Sequence, residues 1–233
     1  MNISVSLPFS FNYKGDRYMG IIGDAIIIPA PPRKLPPEYQ AVEYIQTDGV
    51  AYINTGVYFN GYLKIHMKFY QKQYTFGATQ SNSSNYRVLY GAGGGAPGVW
   101  GTNSSGNYIN ALGLGTNETM AVECYWYPGM LSAYRIDEIT SGAKNTNQAL
   151  YTLDSPFYFL AQNYVGSPRG SSGTQGTFLK MWTGQNYKLV RDYISVRRLT
   201  DNAGGMFDFR DMRFYGNAAG SGAFTVGPDI NEY

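Results

Sequence analysis

GYLKIHMKFYQ, residues 61–71, alternates without a break: Leu63, Ile65, Met67 and Phe69 are apolar, and Lys64, His66 and Lys68 between them are polar. Successive side chains of an extended chain point to opposite faces. This period of two therefore predicts a β-strand with one face sealed in a core and the other wet. Upstream, EYQAVEYI (38–45) and VAYINTGVYF (50–59) also read as strands, joined by the turn TDG and with Gly56 interrupting the second. Downstream, TFGATQ, YRVLYGA and GVWGTN are short β-runs separated by SNSSN (81–85) and GGGAPG (93–98). NYINALGLGTNETMAVECYWYPGMLSAYRID (107–137) gives two or three more strands, and TSGAKNTNQ reads as a loop. SPFYFLAQNYVG (155–166) reads as one strong strand, SPRGSSGTQG as a loop, and GTFLKMWTGQNYKLVRDYISVRR (176–198) as the closing strands. No stretch holds a 3.6-residue apolar period for ten residues, so almost no helix is expected. Short strands at this turn spacing predict an all-β fold: two antiparallel sheets in a jelly-roll sandwich.

The chain has 233 residues, enough for one full core. Residues 1–34 stand apart. ISVSLPFSF alternates apolar and polar, NYKGD supplies a turn, and RYMGIIGDAIII continues as β. Two strands cannot hold a core alone, so this predicts an N-terminal β arm that packs on the main domain, a sister subunit or a docking protein. PAPPRKLPP (29–37) follows as an extended proline-rich spacer, and residues 35–233 form the sandwich. The N-terminus lacks a basic n-region and a long apolar segment, so no secretory signal is expected, and no run approaches a membrane span.

The net charge of +2 gives no basis for capturing nucleic acid. Arg191, Arg197, Arg198, Arg210 and Arg213 interleave with Asp192, Asp201, Asp208 and Asp211, which predicts local ion pairing. The single cysteine, Cys124, sits in the strand-like MAVECYWY and reads as a small core hydrophobe. Tyrosine occurs 22 times, which suits half-buried sheet faces and also suits gripping sugars.

The residues that open and close the sandwich span resemble a known family. The opening carries Leu35, Pro36, Glu38, Tyr39, Val42, Glu43, Tyr44, Ile45, Gly49, Tyr52, Ile53, Thr55 and Gly56. The closing stretch carries Leu189–Ile194, Arg198, Asp201, Gly205–Asp208, Phe214, Tyr215, Asn217, Ala218, Gly220, Gly222, Phe224, Gly227, Pro228 and Asp229. Together these are similar to the laminin-G-like, concanavalin A-like sandwich domains of gut bacteriophage virion proteins and of some gut bacterial surface proteins. One departure is MFDFRDMRF (206–214), which lacks the glycine expected in the turn before the aromatic pair Phe214–Tyr215. The resemblance implies two antiparallel sheets with the first and last strands close together. It also implies an architectural role for its motif residues, with Arg191, Asp192 and Asp208 in a structural network.

Catalysis has little to stand on. Related β-glucan-cleaving sandwiches place paired acids at E-x-D-x-E or E-x-D-x-x-E spacing on one strand face. Asp137 and Glu138 are adjacent, and Glu118 and Glu123 are five apart, so a regular strand would turn each pair to opposite faces. His66 is the only histidine and lies between two lysines, which excludes a histidine-rich metal site. No cofactor and no metal, calcium included, is expected. Passive binding remains: Tyr86, Tyr90, Trp100, Asn103 and Tyr108 mix aromatic faces with polar groups as a pyranose requires. Trp126 and Trp182 lie in apolar strand patterns and read as core. The expected function is a non-enzymatic bacteriophage virion protein, a fibre, appendage or head or tail decoration subunit. Residues 1–34 would anchor it to other virion proteins, and it would form a homo-oligomer, a trimer by symmetry, that contacts host glycans. No nucleic acid or membrane partner is expected. A carbohydrate-binding adhesin module of a bacterial surface and a glycoside hydrolase of the same fold are the alternatives.

Overall fold

The computed structural model describes residues 10–13, 16–19, 33–70, 74–79, 87–93, 96–102, 108–109, 117–137, 140–145 and 152–231. Among them there is no helix. The strands in chain order are β1 (Ser10–Tyr13), β2 (Asp16–Met19), β3 (Tyr39–Ala41), β4 (Ile45–Thr47), β5 (Ile53–Tyr58), β6 (Leu63–Tyr70) and β7 (Tyr74–Thr79). Next come β8 (Arg87–Gly93), β9 (Ala96–Thr102), β10 (Tyr108–Ile109), β11 (Thr119–Tyr127), β12 (Met130–Arg135), β13 (Thr140–Asn145) and β14 (Pro156–Phe159). The remainder are β15 (Ala161–Tyr164), β16 (Ser167–Gly170), β17 (Gln175–Thr183), β18 (Lys188–Arg198), β19 (Gly204–Asp208), β20 (Arg213–Tyr215) and β21 (Phe224–Val226).

β1 and β2 pair with each other as a separate two-stranded sheet. The large sheet runs β13-β12-β11-β6-β17-β18-β19-β20, with β3 added to β18, β4 to β17 and β21 to β4. The smaller sheet runs β10-β9-β8-β7-β14-β5, with β15 and β16 attached. Among the described residues, all pairings are antiparallel except β15 with β7.

The two sheets form a sandwich because each has one continuous apolar face. Leu63, Ile65, Met67 and Phe69 of β6, Val122, Cys124 and Trp126 of β11, and Leu179 and Met181 of β17 belong to the same buried cluster as Ile53, Phe76, Ala78, Val88, Phe157 and Phe159 of the smaller sheet. Each fully buried aliphatic or aromatic side chain contributes about 1.5–3 kcal/mol. Close approach between the layers is set partly by Gly176, where a Cβ would lie 2.6 Å from the Phe159 ring.

The opening and closing sequence stretches are zipped together. β3 pairs with β18, β4 with β21, and Val42 bridges to Asp229. Glu43 N–H donates to Pro228 O and Gly227 N–H donates to Tyr44 O, each at 2.9 Å. EYQAVEYI is therefore two short strands joined through the Val42 bridge, because its residues switch partners from β18 to β17 and β21.

Three other readings are corrected. TSGAKN is not a loop: it pairs along β12 from Arg135–Thr140 to Met130–Asn145. SPFYFLAQNYVG is broken at Leu160, whose φ is +67°, so β14 and β15 run in opposite senses against β7. SPRG forms β16, closing a two-residue hairpin through Val165 and Gly166, both at positive φ as a type I′ turn requires. The turn that lacks the expected glycine uses Met212 at φ +51° in its place.

Candidate functional site

Tyr86 and Asn103, two of the five sugar-binding candidates, lie outside the described residues. Tyr90 is on β8, opposite Val99 of β9. Trp100 of β9 stands opposite Leu89 on one side and Tyr108 of β10 on the other.

Arg191, Asp192 and Asp208 meet, but on two sides of the large sheet. Arg191 and Tyr193 alternate on the side facing the smaller sheet. The Arg191 Nε–H donates to Thr55 O of β5 at 2.9 Å, a bond from one layer to the other. Its Nη1 reaches Asp211 at 2.8 Å and approaches Asp208 at 3.6 Å. Asp208 is fully buried, and its Oδ1 accepts from the N–H groups of Asp192 and Arg210 at 3.0 and 2.9 Å. Burial pushes the Asp208 carboxyl above its ordinary pKa, against the lowering effect of those bonds and of Arg191. Asp192 lies on the outer face, with Arg33 at 2.6 Å and Lys180 at 3.6 Å. Its strongest partner thus comes from the proline-rich spacer, and the Arg33 guanidinium also covers the Phe209 ring at 5.2 Å. Arg198 pairs with Asp201, whereas Arg197 pairs with Asp229. Every carboxylate here is engaged in a crosslink or a turn, which makes the group a structural clamp.

The outer face of the large sheet holds a different assembly. Trp182 is not a core residue. The burial of Leu179 and Met181 fixes the phase of β17, and Trp182 falls with Phe178 and Lys180 on the outer side, half-buried. Opposite it on β6 is Lys64, and beyond Lys64 on β11 is Tyr125. The Lys64 ammonium lies 4.9 Å from the Trp182 ring centre and 5.0 Å from that of Tyr125, and 2.9 Å from the Glu123 carboxylate. The Tyr125 hydroxyl donates to Glu123. Burial, that bond and the Glu123 charge push the Tyr125 hydroxyl pKa up. Tyr187 and Tyr134 each meet the Tyr125 ring edge-on at 6.0 Å, and Tyr134 is 45% exposed. In the next row, Glu123, His66, Lys180 and Asp192 stand opposite one another across β11, β6, β17 and β18. His66 packs edge-on against Phe178 at 4.8 Å.

This arrangement offers upright aromatic rings beside an ammonium and a carboxylate on a half-wet surface, the surroundings that hold a ring with one apolar face and a polar rim. Sequence reading missed it by treating FLKMWTG as uniformly apolar. The signal was present: Lys180, two residues before Trp182, shares its face. Cys124 is buried in the core, where burial raises its thiol pKa well above the ordinary value. Neither a scan against protein-family models nor a search among curated proteins finds a match to this chain.

Proposed function

We propose that this chain is a non-enzymatic structural protein of a bacteriophage virion, a fibre, appendage or decoration subunit, whose sandwich follows a jelly-roll path and contacts glycans. Residues 1–34 act as the arm that joins it to other virion proteins and to its sister subunits. The virion assignment rests on the resemblance of residues 35–56 and 188–229. The carrying observation for glycan contact is the Trp182–Lys64–Tyr125 row on the face turned away from the core. A non-enzymatic role is supported by the separation of that face's two carboxylates. Glu123 and Asp192 lie three inter-strand steps apart, about 14 Å, whereas glycoside-cleaving pairs stand about 5–9.5 Å apart.

A glycan array tests the contact. Wild type and Trp100→Ala should bind the same glycans, and Trp182→Ala should lose them. Loss in Trp100→Ala with retention in Trp182→Ala would move the site to the smaller sheet. Deleting residues 1–34 should abolish oligomers and incorporation into particles; a truncated protein that still assembles would remove the arm from the proposal.

A further inference from the structure

We infer that the ligand of the outer face is a linear acidic polysaccharide, a chain bearing uronate or similar sugar carboxylates, laid along β6. The inference rests on the glycan reading above and narrows it. Lys64, His66 and Lys68 follow one another on the outer side of β6, about 7 Å apart per step. Lys180 stands beside His66, and Phe178 beside Lys68. The centre of the face is therefore a line of two lysines about His66, with Lys180 beside it, flanked by aromatic rings, Tyr125 and Trp182 at one end and Phe178 at the other.

The acids of this face cancel only part of that line: Glu123 offsets Lys64, and Asp192 is shared by Arg33 and Lys180, which leaves one positive charge there besides that of Lys68. Glu123 is held by Lys64 and the Tyr125 hydroxyl, and Asp192 by Arg33 and Lys180, each to one side of β6. Lys68 is exposed. A neutral glycan would use the rings and leave Lys68, and the excess positive charge of the Arg33–Lys180–Asp192 group, facing uncharged hydroxyls. A carboxylated chain uses both: apolar sugar faces on the rings, carboxylates on the ammonium groups through charge-assisted bonds. Nucleic acid is the weaker fit, because its backbone requires many more cations than three lysines supply.

Titration calorimetry with polygalacturonate oligosaccharides, their carboxyl-reduced counterparts and single-stranded DNA tests this. Wild type should prefer the carboxylated chain by roughly tenfold, with affinity falling as salt rises. Lys68→Glu, a change at an exposed position, should abolish that preference. Equal affinity for the reduced chain would overturn the acidic ligand while leaving glycan binding in place. No binding to either chain, together with an empty glycan array, would overturn both readings. DNA binding as tight as that of the carboxylated chain would overturn the assignment to a sugar.

Discussion

The two faces of β6 belong to one strand and one sheet, yet they obey different physics. Leu63, Ile65, Met67 and Phe69 have no solvent exposure and serve the fold alone. Lys64, one residue out of phase, keeps 23% of its side chain exposed between Trp182 and Tyr125. The neighbouring strands repeat the division, so Trp126 on β11 and Trp182 on β17 lie on opposite sides of the same sheet. What separates them is parity in the strand, not chemistry. A tryptophan is a core residue or a surface platform according to whether its number matches that of the strand's aliphatics.

The largest effect should come from testing that contrast directly. Trp126→Ala empties a site in the sealed layer and should cost about 3–5 kcal/mol in urea unfolding. Trp182→Ala removes half-buried area and the Lys64 cation–π contact, and should cost about 1 kcal/mol. Equal costs would break the division of faces.

A smaller effect, dependent on pH, should come from Asp208 in the clamp. Burial raises its folded pKa above the unfolded value near 3.9. The native state then holds the proton longer than the unfolded chain. Its contribution to stability is complete below the unfolded pKa and is lost as pH rises through the raised folded value. Asp48 and Asp201, both with lowered pKa, act in the opposite sense and do so equally in a variant at position 208. The stability of wild type minus that of Asp208→Asn should therefore fall as pH rises from about 3.9. A flat difference would mean that Asp208 titrates alike in both states.

The smallest effect sharpens the architectural side. Met212 is 58% exposed and holds the left-handed conformation that favours glycine. Met212→Gly relieves backbone strain and loses little packing, so it should stabilise by roughly 0.5–1 kcal/mol after the entropy of glycine is counted. A lower melting temperature would show that the methionine side chain is needed there.

The fold was legible where the pattern was local and periodic. The alternation in 63–69 fixed both the strand and its buried side. The glycines of the closing stretch marked real constraints: at Gly205 a Cβ would meet the Phe214 ring at 2.5 Å and Tyr215 O at 2.6 Å. TSGAKN was not legible, because small and polar residues form an edge strand only when a neighbour such as β12 supplies the hydrogen bonds. The outer-face row was less legible: the apolar neighbours Leu179 and Met181 made Trp182 read as core, and only the phase of β17 puts it on the other side.

The sequence by itself determined an all-β chain with one sealed and one wet face on its central strand, because side-chain alternation follows from backbone geometry alone. Only tertiary structure decided which strands became neighbours. Lys64 comes between Tyr125 and Trp182, and Arg33 reaches Asp192, because residues distant in the chain are brought together by cross-strand register, which no local pattern encodes.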